Sequence, residues 1–405
     1  MTPAFLAPAA AFVRRHQLLP LTFLALLALI LVVPKTQVYR NFFYIAVVPC
    51  FLLAHDRRLL AAIAESWVWR CCALLLAYMW LTLFWSATAE PEDFFNFARR
   101  VLSIQLYITI LAMLAATPGF PQRLFRWLIA VAAAVAVAVL LIYAIHRVWD
   151  PRYRVGALGF ANPNVTGAVY SVLLLGALFY LLKAKSTLVE WRLAVVAMAI
   201  MAFFVLLTQS RGNWIALAAT LILIAMLAGV RWILVAIPIS VAILGVCLAL
   251  GMMDLHILLG RGDSYRVESW LHVFDIWRKA PWFGIGVDFN PIFHSADGSE
   301  IWHAHNVYLS YMAHGGAVAL ALYLLMLSAA AIAAFRAFVA EGNFGVIGML
   351  LFIALYSIID FEIFTLNAGW QWLFVWLPIG LVIGTQVRPT AAVAEPASGS
   401  PHVVR

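Results

Sequence analysis

The sequence has very little charge. Only 11% of its 405 residues are Asp, Glu, Lys or Arg, whereas 65% are hydrophobic, and the mean hydropathy is +0.98. A soluble globular domain needs a much larger share of charged surface, so that class is excluded. A membrane β-barrel is excluded as well, because its strands alternate apolar and polar residues and do not form long apolar runs.

Cysteine is also scarce, and its placement excludes a disulfide framework. The chain has four cysteines, Cys50, Cys71, Cys72 and Cys247. All lie within or at the edge of apolar runs, which predicts small packing residues rather than disulfides or metal ligands. The chain also lacks an Asp-x-Asp pair. We therefore expect no metal site and no cofactor, and no nucleic-acid partner.

The sequence does contain about twelve apolar runs, most of them close to the length that spans a bilayer as a helix. This predicts an all-α polytopic integral membrane protein with one transmembrane domain over residues 1–386. The tail, 387–405, is rich in Pro, Ser, Ala and Gly, and we expect it to be disordered. The runs are 18–33, 42–54, 71–86, 101–116, 124–145, 163–182, 193–208, 213–229, 232–250, 306–335, 344–359 and 368–386.

Positive charge in the short loops predicts the orientation. Arg57, Arg58, Lys183 and Lys185 place their loops in the cytoplasm. An even number of spans then puts both termini in the cytoplasm as well. The long segment 251–304 becomes an outer, periplasmic loop, and its length alone suggests a function.

Arginines are unexpectedly common on the side predicted to be outer. A cluster of guanidinium groups suits an anionic ligand, because each can hold phosphate oxygens in a bidentate manner. Arg211 is the clearest case, since it lies in a very short turn between two spans. Pairing with acidic loop residues is the alternative explanation for any one of them. The set comprises Arg99, Arg100, Arg147, Arg152, Arg154, Arg211, Arg261 and Arg266.

Other polar residues lie where helices are predicted to begin. His303, His305 and Asn306 end the long outer segment, and an ionisable residue at such a place is a functional candidate. His314 lies further along the same run and is predicted to be a packing residue. Asn162 and Asn164 flank Pro163, which predicts that both asparagines act as helix caps.

Four short motifs stand out in the second half of the chain: Ser210-Arg211-Gly212, Arg266 followed by Trp270, Pro281-x-Phe-Gly-Ile-Gly286, and His305-Asn306 followed by Gly316. Together they resemble the O-antigen ligase and polymerase superfamily. The ligase pattern requires Gly, Thr or Tyr three residues after Gly316, and this chain has Ala319 there. The length of 405 residues favours a ligase over the protein-glycosylating members, for which a longer chain is expected.

The resemblance implies an inverting, metal-independent glycosyltransferase of the bacterial inner membrane. It would transfer a glycan from undecaprenyl diphosphate to a sugar hydroxyl of lipid A–core at the periplasmic face. His305 would be the general base. The substrate-binding residues would be Arg211 and Arg266 on the diphosphate, assisted by Arg147 and Arg154, together with His303 and Asn306.

Three alternatives remain open at this point. The chain could be a polymerase or a protein O-oligosaccharyltransferase of the same superfamily. It could be a transporter of an anionic lipid or sugar, since outer arginines would serve that function too. A metal-dependent transferase could use Glu90-Pro-Glu92-Asp93, although these acids also suit the N-terminus of a helix.

Overall fold

The computed structural model describes residues 6–145, 154–182, 187–228, 241–242, 244–249, 251, 256, 265–288, 292–294, 300–301, 304–342, 344–365 and 369–388. The described chain is almost wholly helical. Two short strands, β1 (Phe293–His294) and β2 (Glu300–Ile301), pair antiparallel. Within the tail predicted to be disordered, only residues 387 and 388 are described.

The helices follow the apolar runs closely. For eleven of the twelve predicted runs a helix is described, and most of the run at 232–250 lies outside the described residues. The helices are α1 (Ala7–Arg15), α2 (Leu18–Val32), α3 (Thr36–Ala54), α4 (Arg57–Glu65), α5 (Trp67–Leu81), α6 (Pro91–Ala116), α7 (Phe120–Ile145), α8 (Pro163–Leu182), α9 (Leu188–Leu207), α10 (Arg211–Ala228), α11 (Arg266–Lys279), α12 (Val307–Glu341), α13 (Gly345–Tyr356) and α14 (Trp372–Gln386).

The protein is a multi-pass helical membrane protein. Among the described residues, six helices are long and apolar enough to cross a bilayer, and α1 with α2 forms a seventh candidate bent by 63°. The six are α3, α5 with the short turn that follows it, α6, α7, α9 and α12. Helices α8, α10, α13 and α14 are apolar but shorter. The total of twelve spans therefore stays a prediction.

The core is built where long helices pack lengthwise. Helix α6 lies along α14, and α5 lies along α12. A π-helical turn of α3 contacts a π-helical turn of α14, where the Phe43 ring meets the edge of Trp372 at 4.9 Å. Tyr107 stacks on the same indole at 4.7 Å and donates its hydroxyl to the Trp372 carbonyl. These contacts tie α3, α6 and α14 together.

The Pro281–Gly286 motif clamps a break in α12. The backbone of Gly316 adopts φ 66°, which interrupts the helix. The backbone groups that have no helical partner at this break form hydrogen bonds with the motif. Ile285 N–H donates to the Ala313 carbonyl, and Ala317 N–H donates to the Pro281 carbonyl. A Cβ on Gly284 would come within 2.5 Å of the His314 carbonyl. Glycine is therefore required here for close approach of two backbones, which explains this part of the sequence motif.

Candidate functional site

The turn that follows α13 is the centre of the site, because the ends of several elements bind to it. Val307 N–H, at the start of α12, donates to the Ser357 carbonyl at 2.8 Å. Arg266, at the start of α11, donates through Nε to the Ile359 carbonyl at 3.0 Å. The start of α10 is also close, since a Cβ on Gly212 would contact the Ile359 side chain. Residues more than a hundred positions apart thus meet at one turn.

His305 forms a hydrogen-bonded pair with Asp360. The His305 Nδ1 lies 2.7 Å from Asp360 Oδ1. The Asp360 side chain is 4% exposed, whereas that of His305 is 29% exposed. If Nδ1 carries the proton and donates to the carboxylate, Nε2 is the nitrogen able to accept a proton. The pair therefore has the arrangement of a general base held in one tautomer.

Asp360 is held as a carboxylate by its neighbours. Burial is the largest single influence and raises its pKa, whereas the hydrogen bond from His305 and the charge of that ring lower it. The Phe361 N–H, which donates to Oδ1 at 2.8 Å, and the charge of Arg266 add to this. The net effect is a pKa below the ordinary value for aspartate. An ionised Asp360 can orient His305 and stabilise an imidazolium formed on it.

Asn164 and Arg154 extend this pair into a polar chain. Asn164 Nδ2 donates to Asp360 Oδ2 at 2.6 Å, and Arg154 Nη2 donates to Asn164 Oδ1 at 2.5 Å. Arg154 Nε donates to the Thr208 carbonyl at 2.9 Å, which fixes the guanidinium. The cap prediction is correct for Asn162, whose side chain accepts from Asn164 N–H. It is wrong for Asn164, whose amide is engaged by Asp360 and Arg154.

The structure places some predicted site residues and leaves others undescribed. Arg211 and Arg266 begin α10 and α11 and are half-buried beside the turn. Arg147 and His303 lie outside the described residues. Asn306 caps α12, its Oδ1 accepting from Leu309 N–H at 3.1 Å. This contact stabilises the start of the helix, and the assignment of Asn306 to substrate binding stays a prediction.

The remaining histidines of the region have other surroundings. His314 is buried, and its Nδ1 lies 3.1 Å from the Gly286 carbonyl at the clamp. This confirms the prediction of a packing histidine. His294 is exposed in β1. Of these described histidines, only His305 combines solvent access with a carboxylate partner.

Backbone strain is concentrated at this site. Among the described residues, five non-glycine residues have positive φ, and four of them adjoin or belong to the site: Gln209 at 49°, Tyr265 at 58°, His305 at 48° and Phe361 at 79°. Each such conformation costs of order 1–3 kcal/mol, and such residues cluster at functional sites. Tyr265 and Phe361 adjoin Arg266 and Asp360, so strained backbone flanks residues that meet at the turn after α13.

The acidic residues Glu90 and Asp93 have a structural role. The Asp93 carboxylate accepts from Glu90 N–H at 2.8 Å, which caps the start of α6. Within the described residues, no group of three or more His, Cys, Asp or Glu side chains is arranged to hold a metal ion. The capping interpretation of this motif is therefore correct, and independence from metal stays a prediction.

Glu362 is a second carboxyl group near His305 that the sequence did not reveal. Burial raises its pKa to about 7, and the charge of His305 opposes this only in part. A carboxyl group with such a pKa is protonated in the folded protein at mildly acidic pH and charged at alkaline pH. Its protonation state therefore changes in the physiological range.

This predicts a pH-dependent stability. Because the pKa of Glu362 in the folded protein, about 7, lies above the ordinary value of 4.5 for glutamate, its contribution to the free energy of unfolding is lost as pH rises from about 4.5 through 7. Glu362→Gln keeps the side chain neutral, so its melting temperature relative to wild type should increase as pH rises from 5 to 8.5. Exposed Glu65→Gln is the control and should show a flat difference, and an equally flat one for Glu362→Gln would contradict the assignment.

Comparisons with known proteins support the family suggested by the motifs. A family model described as O-antigen ligase matches residues 196–324, a segment that contains Arg211, Arg266 and His305. The chain is also 24% identical to an O-antigen ligase of Pseudomonas aeruginosa strain PAO1 over 384 residues, which cover 94% of this chain and 93% of that protein. Arg154 and Asp360 lie outside the segment that the family model matches. The resemblance to the O-antigen ligase family that the motifs indicate is therefore confirmed, by a family model over part of the chain and by a relative over nearly its whole length.

Proposed function

We propose that the protein is an O-antigen ligase that transfers a glycan from undecaprenyl diphosphate to a sugar hydroxyl of lipid A–core. The observation that carries the proposal is the His305–Asp360 pair, with a distance of 2.7 Å, beside two arginines at helix starts. A transporter needs no such pair, whereas transfer to a hydroxyl needs a base. The family match supports a ligase over unrelated enzymes.

The proposed reaction is a single displacement. The acceptor hydroxyl gives its proton to His305 Nε2, and its oxygen attacks the anomeric carbon. The bond between that carbon and the diphosphate oxygen breaks, and undecaprenyl diphosphate leaves with the bonding electrons. Attack from the opposite face inverts the anomeric centre. The proton passes from His305 to solvent at the end of the cycle.

In many reactions with a phosphate leaving group, a metal ion stabilises the negative charge of that group. Here the arginines have this role. Charge develops on the diphosphate as the bond breaks, and fixed guanidinium groups stabilise it without reorganisation. Arg211 and Arg266 are assigned to this charge, because both begin helices whose N-terminal dipoles also favour an anion. Arg154 is assigned to the support of Asp360 through Asn164.

The proposed site faces the periplasm of the bacterial inner membrane. The positively charged short loops would lie in the cytoplasm, and the segment from 251 to 304 would lie on the opposite side of the membrane. Helix α11 of that segment and the start of α12 both border the site. Lipid-held donor and acceptor could then meet there without leaving the membrane.

Transfer by the purified protein tests the proposal. With undecaprenyl-diphosphate glycan as donor and lipid A–core as acceptor, we expect glycosylated lipid A–core, measured by gel shift and mass spectrometry. The rate should be the same with EDTA, because arginines supply the positive charge. Product that forms only when a second lipid-linked glycan or a protein is the acceptor would indicate a polymerase or a protein glycosyltransferase. Lipid transport without any transfer would indicate a transporter.

A further inference from the structure

A second group of arginines lies apart from the His305 site. Arg40 is in α3, and Arg99 and Arg100 are in α6. The charges that act on Arg100 are those of Arg99, Asp93, Arg40 and Asp288. None of these residues belongs to the His305 site. We call Arg40, Arg99 and Arg100 the second arginine cluster.

A hydrogen bond joins α3 to α6 one helical turn away from Arg40 and Arg99. Tyr44 Oη of α3 lies 2.5 Å from Ser103 Oγ of α6, and the Ser103 hydroxyl donates to the Arg99 carbonyl at 2.6 Å. Arg40 precedes Tyr44 by one helical turn, and Arg99 precedes Ser103 by one turn. The hydrogen bond between the helices therefore holds like charges on neighbouring positions of two separate helices.

The second cluster is costly unless an anion binds to it. Arg40 and Arg100 are half-buried, and within the described residues neither guanidinium forms a hydrogen bond or an ion pair. Asp93 and Asp288 act on Arg100 only at longer range. Like charges that are partly removed from water repel each other and lose hydration. Arginine forks from two helices are suited to the oxygens of a phosphate group.

The Pro281–Gly286 turn links the cluster to the His305 site, because Asp288, which follows this turn, acts on Arg100. Asp288 follows the Pro281–Gly286 turn, and neighbouring Val287 N–H donates to Thr82 Oγ1 at 3.1 Å. The same turn clamps α12 at Ala313, which lies six residues, or about 9 Å, from the start of this helix. A lipid bound at one site could therefore extend its headgroup toward the other.

We propose that the second arginine cluster binds a phosphate group of the acceptor glycolipid. This inference rests on the proposed function. The diphosphate of the donor must lie at the bond that breaks, beside His305, so it cannot occupy the second cluster during transfer. The acceptor is a phosphorylated glycolipid that must be held while its sugar hydroxyl reaches His305. An anchor on its phosphate fixes the headgroup without contacting the reacting atoms.

The test compares intact and phosphatase-treated lipid A–core with the variant Arg40→Gln/Arg100→Gln. For the wild type, removal of the acceptor phosphates should raise the KM for acceptor at least about tenfold. This is about the change in affinity that the loss of one hydrogen bond to a charged group causes. For the variant, the KM for intact acceptor should rise by a similar factor, with no further rise on dephosphorylation. The KM for donor and kcat should not change.

Two controls separate the possible outcomes. Arg278→Gln alters an exposed arginine of α11 outside the cluster and should behave as wild type. Size-exclusion profiles and melting temperatures check folding, and Arg40→Lys/Arg100→Lys, which keeps the charge, should restore part of the affinity. If the Gln variant keeps its tenfold preference for phosphorylated acceptor, or if its donor KM rises instead, the inference is wrong. An unchanged KM would mean that these arginines contact only ordinary lipid headgroups.

Direct binding distinguishes this inference from the proposed function. The affinity of purified wild type and variant for intact and dephosphorylated lipid A–core can be measured without donor, for example by native mass spectrometry. Phosphate-dependent binding without any transfer would support the cluster and contradict the ligase function. Transfer without phosphate-dependent binding would support the ligase and overturn the cluster.

Discussion

Replacement of His305 by alanine is expected to lower the rate of glycan transfer by at least about 10²-fold, the usual contribution of a general base. Donor binding should be retained, because the diphosphate is held by arginines. Asp360→Asn should have an effect of comparable size. The asparagine amide can donate to Nδ1, which would place the proton on Nε2 and leave no acceptor for the hydroxyl proton.

The two residues should also behave as one unit. Because Asp360 acts through its 2.7 Å contact with His305, the double variant should be hardly slower than His305→Ala alone. Exposed His294→Ala is the matched control and should transfer at the wild-type rate. Transfer rate and donor affinity must be measured together on folded protein. If His305→Ala transfers normally, or loses donor affinity in proportion to its rate, His305 is at most a positioning residue.

His305 could be predicted from sequence, but its partners could not. The histidine lies at the boundary between a polar segment and an apolar run, within a recognisable motif. Asp360 is 55 residues further along, and Asn164 is 196 residues before Asp360. Both are single polar residues near helix ends, and only the packing of α8, α12 and α13 brings them together. A signal was present, since Asp360 and Glu362 are acids next to a strongly apolar run, where ionisable residues are rare and commonly functional.

The fold, too, could be predicted from the sequence only in part. Apolar runs give the positions of the helices, because burial of the backbone in lipid requires helical hydrogen bonding. They do not reveal where a helix breaks. The break at Gly316 depends on backbone contacts with a segment about thirty residues earlier, in which Gly284 permits the approach. The sequence motifs contained both glycines, yet only the structure shows that Gly284 approaches the backbone of His314 and that Gly316 approaches the backbone of Trp282.

The largest remaining effect is expected at Arg211 and Arg266. Removal of one fixed donor to a developing negative charge typically costs about 10²–10³ in kcat, so Arg211→Ala and Arg266→Ala should each lose about that much. Arg211→Lys should recover little, since a point charge does not replace the planar fork. Arg278→Ala, which alters an exposed arginine paired with Asp275, is the matched control and should keep its activity.

Arg154→Ala should change the kinetics in a different way from Arg211→Ala and Arg266→Ala. The difference separates residues that bind the diphosphate from a residue that supports the general base. Its guanidinium contacts Asn164 and the Thr208 carbonyl, so Arg154→Ala should loosen the chain that ends at Asp360. We expect its main effect on the pH profile of kcat, through a weaker hold on the carboxylate and thus on His305. Arg211→Ala should instead weaken donor binding and kcat with little change in the pH profile. Arg266→Ala should weaken donor binding and kcat and also change the pH profile, because the charge of Arg266 lowers the pKa of Asp360. Wild-type activity of both Arg211→Ala and Arg266→Ala at normal protein level would eliminate the proposed diphosphate site.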